Sequence, residues 1–181
     1  MEQHIQSLFD DLEGEDKDRQ YQAFMSIMEK VETKVDWAYE VWDMLLAWLT
    51  DKDNHRRARA AQFLAGLAIS DPERHILRDF PLIWEVTKDE KFVTARHCLQ
   101  SIWRMGLAGQ EQKELVMAHL VSRFHTCTDE KHPTLIRYDI QQGFRQLYDE
   151  TNDESIQNTA LELIEIEEDA KYVKKYKSVW K

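Results

Sequence analysis

Apolar residues recur at helical spacing along almost all of this chain, and the breaks between runs are short and polar. Ile5, Leu8, Phe9 and Leu12 form a first stripe. Ala38, Val41, Trp42, Leu45 and Leu49 form a third, and Tyr172, Tyr176 and Trp180 a tenth and last. Steps of three and four residues keep such side chains on one face of an α-helix. Strands need turn chemistry every few residues, and five Gly and three Pro in 181 residues do not supply it. The expected fold is therefore all-α. No long Gly-, Ser- or Pro-rich linker divides the chain, and its length suits one hydrophobic core, so a single domain over 1–181 is expected.

The formal charge is −10. Coating nucleic acid or an anionic membrane relies on a positive field, so both partners are disfavoured, although a local basic patch is not. Cys98 and Cys127 stand alone without a CxxC pair, which suits a reducing compartment and hence the cytoplasm. The N-terminal stretch lacks the basic and apolar regions of a signal peptide, and no run of eighteen apolar residues exists. GxSxG, P-loop, GxGxxG and HExxH motifs are all missing, so neither catalysis nor a cofactor is expected.

Internal repetition comes next. Asp-Lys-Asp stands at 16–18 and 51–53, and Asp-Glu-Lys at 89–91 and 129–131, giving steps of 35, 38 and 40 residues. An arginine follows the last three of these turns: Arg59, Arg96 and Arg137. Two of them open an Arg-Gln-Arg stripe with spacings of four, namely Arg96, Gln100, Arg104 and Arg137, Gln141, Arg145. On a helix each stripe lies opposite the apolar face. The preceding copy keeps Gln62, with Arg59 and His55 nearby, and Trp103 and Phe144 hold matching places as packing or groove-lining residues.

The segments "LLAWLTDKDNHRRARAAQFLAGLA" (45–68), "IWEVTKDEKFVTARHCLQSIWRMGLA" and "LVSRFHTCTDEKHPTLIRYDIQQGFRQL" resemble HEAT repeats over roughly residues 1–168. The resemblance implies a right-handed α-solenoid of about four to five helix pairs, roughly 1–33, 36–70, 73–108, 110–149 and 153–180. The second helix of each pair would line the concave side. It also implies a structural ladder in which the turn aspartates Asp51, Asp89 and Asp129 meet the arginines, with Arg96 pairing to Asp89 and Arg137 to Asp129 or to a neighbouring repeat's aspartate.

Charge separates the two helix classes. The second-helix segments 53–70 and 91–108 carry +2 and +3 and segment 132–149 is neutral, whereas 36–50, 71–90 and 109–130 carry −3, −3 and −2. The reading is a non-catalytic scaffold binding an acidic peptide or protein segment on a locally basic concave face. Its candidate residues are Arg96, His97, Gln100, Arg104, Arg137, Tyr138, Gln141 and Arg145, with Arg59 and Gln62.

Two other constellations carry chemistry. His125, Cys127 and His132 are zinc-type ligands, but a structural zinc site takes four at regular spacing, and no metal is expected. "VWDMLLAWL", "HRRARAAQFL" and "DEKFVTARHCLQSIWR" are similar to HEAT-like alkylpurine DNA glycosylases. That resemblance implies a Trp-Asp pair, matched by Trp42 and Asp43, and a catalytic Asp three residues on, where this chain has Leu46. A glycosylase relative lacking that carboxylate is the alternative function.

Overall fold

The structure, a computed structural model, describes residues 2–181. Among the described residues there are ten α-helices, four short 3-10 turns and no strand. The helices are α1 (Gln3–Glu13), α2 (Lys17–Lys30), α3 (Ala38–Trp48), α4 (Asn54–Leu67), α5 (His75–Val86), α6 (Phe92–Ser101), α7 (Gln110–Thr126), α8 (Pro133–Thr151), α9 (Glu154–Ile164) and α10 (Ala170–Lys177). No helix among the described residues is long and apolar enough to cross a membrane.

Aspartates start most of the second helices. Asp16 accepts the N–H groups of Asp18 and Arg19, Asp53 that of His55, and Asp169 that of Lys171. Each satisfies donors that the first turn leaves without an intrahelical acceptor, and each places negative charge at the positive end of the helix dipole. Asp153 starts α9 the same way by taking the Ser155 N–H. The turn at 70–74 works differently from these aspartate caps. Pro72 lies before α5, and Asp71 reaches forward to the N–H groups of His75 and Ile76. The proline that opens a helix is Pro133, at the start of α8.

The chain divides into two compact units, Met1–Cys98 and Leu99–Lys181, with the division inside α6. In the first unit α1 packs on α2, α3 on α4, and α4 on both α2 and α5. Its core is aromatic: Phe9 meets Trp37 and Phe63 edge-on, both at 6.2 Å. Trp42, Leu45, Leu64, Phe80 and Ile83 are fully buried around them. A buried side chain of this size contributes about 1.5–3 kcal/mol. At the C-terminal ends of α2 and α4 a Cβ on Gly66 would overlap the Val31 Cγ2 methyl and come within 2.9 Å of Val31 Cβ, so only glycine permits this approach.

In the second unit α8 is the central helix. It packs on α7, α9 and α10 and on the 3-10 segment Ile102–Leu107. Leu120, Phe124, Ile140, Phe144, Leu147 and Tyr176 are buried there. The 3-10 segment lies close to α8, where a Cβ on Gly106 would stand 3.1 Å from both Leu147 methyl carbons.

Candidate binding site

The second arginine stripe is consumed by the second unit itself. Arg137 Nη1 donates to Glu167 at 2.8 Å and its Nε to the Phe124 carbonyl at 3.0 Å, while its guanidinium lies over the Phe124 ring. Gln141, expected on a binding face, is fully buried. Its amide donates to the Ala160 carbonyl, and its oxygen accepts from the Trp180 indole at 2.9 Å. Arg145 is held by Asp149 four residues on, by the Val179 carbonyl and by the Trp180 ring. The Tyr138 ring is covered by the Lys175 ammonium at 4.4 Å.

Gln100 donates to Asp139, which is itself buried. Arg104 does not continue the line of Gln100. The α-helical turn ends at Ser101, and the following 3-10 segment advances three residues per turn. Arg104 instead folds back over its neighbour Trp103 at 5.2 Å. Trp103 and Phe144 are both buried, as packing residues are.

Two of the turn carboxylates, Asp51 and Asp89, meet arginines from the start of α4. Asp89 is gripped at both oxygens by Arg57, at 2.6 and 2.9 Å, from the start of α4. Burial works to raise the Asp89 pKa, but this guanidinium and the Lys91 N–H outweigh it and hold the carboxyl below its ordinary range. Asp51 accepts the Asp53 N–H and the Arg56 guanidinium. Asp129 is exposed, and the acid at that turn that meets an arginine is Glu130, paired with buried Arg123 at 2.8 Å. Arg57 and Arg137 hold the same relation to their surroundings. Each leaves the start of an even-numbered helix for an acid in the turn after the next helix.

A cleft of about 350 Å³ opens in the first unit. It is lined by Lys17, Gln20, Tyr21 and Phe24 of α2, by His55, Ala58, Arg59 and Gln62 of α4, and by His97 of α6. Arg59, Gln62 and His97 are thus the sequence-derived candidates that this unit brings together. The two sets of four have the same internal spacing and are 38 residues apart position by position, and Tyr21, Arg59 and His97 continue the same step. That register is the sequence signal that would have identified Lys17, Gln20 and Tyr21. It is overlooked when the first copy is set aside for lacking an arginine.

The electrostatics of the cleft are one-sided. No carboxylate lines it. Arg59 donates to two neutral oxygens, the Leu12 carbonyl and Gln20 Oε1, both at 3.2 Å. Lys17 Nζ approaches the same Gln20 oxygen at 3.4 Å. Burial, acting on a cation without an ion-paired acid, lowers the Arg59 pKa from its ordinary value. His97 keeps an exposed edge, yet burial of the rest of its ring, then the charge of Arg96 and of His55, push its pKa below 6.5. The Asp16 and Asp53 side chains already occupy N–H groups at the starts of α2 and α4, so the positive groups of the cleft are its side chains.

The remaining candidates do not converge. Cys127 is buried with its thiol toward the Phe124 and Pro133 carbonyls, whereas His125 and His132 are exposed. No group of three His, Cys, Asp or Glu able to hold a metal ion occurs among the described residues. Trp42 is buried and donates its indole N–H to Asp79 at 3.0 Å, Asp43 is exposed, and Leu46 is half-buried. Comparison with known protein families and with curated proteins finds no match.

Proposed function

We propose that this chain is a non-catalytic, HEAT-like helical-repeat module of the cytoplasm that captures an acidic segment of a partner protein in the cleft of its first unit. The observation that carries this reading is the convergence of Lys17 and Arg59 on one uncharged oxygen, Gln20 Oε1, in a cleft without a carboxylate. A carboxylate entering there meets two cations that the protein leaves without an acid. Charge-assisted hydrogen bonds of that kind give directional recognition.

The repeat reading draws support from the way helices neighbour one another. Consecutive helices pair, as α1 with α2 and α3 with α4, and alternate helices also touch, as α2 with α4, α7 with α9 and α8 with α10. A right-handed solenoid of helix pairs has both kinds of contact. The cleft residues all come from even-numbered helices, the class that lines the concave side of such a stack.

A fluorescent Glu/Asp-rich peptide titrated with the chain tests the function. Binding should weaken steeply between about 50 mM and about 500 mM salt, where screening shortens from roughly 14 Å to 4 Å. It should fall at least tenfold in Arg59→Gln. Salt-independent binding, or full affinity in a folded Arg59→Gln variant, overturns the reading.

A further inference from the structure

The cleft offers more positive charge than one carboxylate can use. Lys17 and Arg59 are cations of the lining, His97 adds an imidazole that becomes cationic when an anion sits beside it, and His55 adds a ring that can hydrogen-bond. Tyr21 and Phe24 supply aromatic surface on the α2 wall, and Tyr21 is 59% exposed, so its ring is available to a ligand. A volume of about 350 Å³ falls at the small end of ligand pockets, which start at about 300 Å³. It suits one large side chain rather than a long stretch of peptide.

Resting on the binding function proposed above, we infer that the group the cleft is built for is a phosphorylated side chain, and best a phosphotyrosine. A phosphate monoester carries close to two negative charges at pH 7 and three acceptor oxygens. Two fixed cations match that charge, and Arg59 can present two N–H groups to one phosphate. The aryl stem then lies against Tyr21 and Phe24, a contact that a glutamate or phosphoserine stem cannot make as fully.

Protonation sharpens the match. The groups facing the His97 imidazole are Lys17 and Tyr21 from α2 and His55 and Arg59 from α4, with Arg56 and Asp53 toward the start of that helix and Arg96 beside His97 on α6. Positive groups outnumber negative ones, so the empty cleft disfavours protonation of His97 and a bound dianion favours it. Phosphate binding is therefore accompanied by proton uptake near pH 7. Affinity peaks near pH 6, because the ester itself takes up a proton below about pH 6.

The test uses the full chain and one peptide sequence carrying Tyr, Glu, phosphoserine or phosphotyrosine at its centre. Calorimetry should rank phosphotyrosine above phosphoserine, Glu and Tyr, with at least a tenfold gap between phosphotyrosine and Glu. In two buffers of different ionisation enthalpy, phosphotyrosine binding should take up protons at pH 7. Replacing the exposed ring by His97→Gln should abolish that uptake, and Lys17→Gln should weaken binding even if Arg59→Gln proves unstable. A Glu peptide that binds as tightly as the phosphopeptide overturns this inference and leaves the acidic-segment function standing. If no peptide binds, both fall.

Discussion

Helices α4 and α8 both carry arginine-rich polar faces, and they dispose of them in opposite ways. On α8 every polar group of the stripe is satisfied within its own unit. Arg137 has Glu167 and a carbonyl, Gln141 is roofed by Trp180, and Arg145 is tied to Asp149. On α4 the turn arginine Arg57 is likewise consumed by Asp89, but Arg59 faces a cleft and finds only neutral oxygens. Two similar stripes thus become a clamp in one unit and the wall of an open cleft in the other. What decides between them is the neighbouring layer: acids and a covering tail against α8, a lysine and two aromatic rings against α4.

The largest expected effect comes from cutting the clamp. Arg137→Ala leaves Glu167, itself only 10% exposed, without its cation. It should lower stability by about 3 kcal/mol in denaturant unfolding. Arg59→Gln strands no acid and should cost well under half of that, so equal losses would erase the distinction between the two helices. Next, Gln141→Leu removes the acceptor of the Trp180 indole and the donor to the Ala160 carbonyl. A loss of about 2 kcal/mol is expected, with a red-shifted Trp180 fluorescence as the tail loosens. An unchanged spectrum would mean that the buried amide does not hold the tail.

Acid should separate the units by pH window. His97 has its pKa lowered from 6.5 on folding, so its share of stability is complete above that value and is lost as pH falls through the depressed one. In the second unit Asp153 is held near 2 by the Lys113 ammonium, then by the Ser155 hydroxyl and N–H. Its share is complete above the ordinary value of 3.8 and is lost as pH falls toward about 2. Amide exchange followed against pH should show α6 and α4 loosening first and the α9 start only below pH 3.8. Lys113→Gln should move the second step alone. The smallest effect is expected from Arg104→Ala/Arg145→Ala. The ion pair of Arg145 with Asp149 is a surface contact along one helix, worth a few tenths of a kcal/mol. Peptide affinity should not change, and a tenfold loss would relocate the site to the second unit.

The elements of the fold were legible because each helix carries its own stripe and many carry an aspartate at the start. Residues 3–13 and 154–164 illustrate this, with Ile5, Leu8, Phe9 and Leu12 and then Ile156, Ala160, Leu163 and Ile164 all buried as spaced. What lay beyond one helix was not legible. Gln141 sits opposite an apolar face and reads as a surface residue until Trp180, 39 positions later, covers it. The change to a 3-10 turn after Ser101 breaks the second half of the first stripe without any Gly or Pro at the break. Arg59, by contrast, does line a cleft, but its neighbours Lys17 and Gln20 belong to a helix that the arginine pattern passes over.

The contact between Gly66 and Val31 has a consequence at a distance. Lys17–Phe24 and His55–Gln62 form two walls of the cleft, and the same two helices touch at their other ends through a glycine that has no room for one more methyl. Gly66 stands seven residues beyond Arg59, about 10 Å along the axis. The pair is a fulcrum with two arms, and the aperture at the mouth follows from how closely the arms meet at the base. A side chain added at 66 would spread the arms, so mutation can change the width of the cleft while every lining residue stays the same.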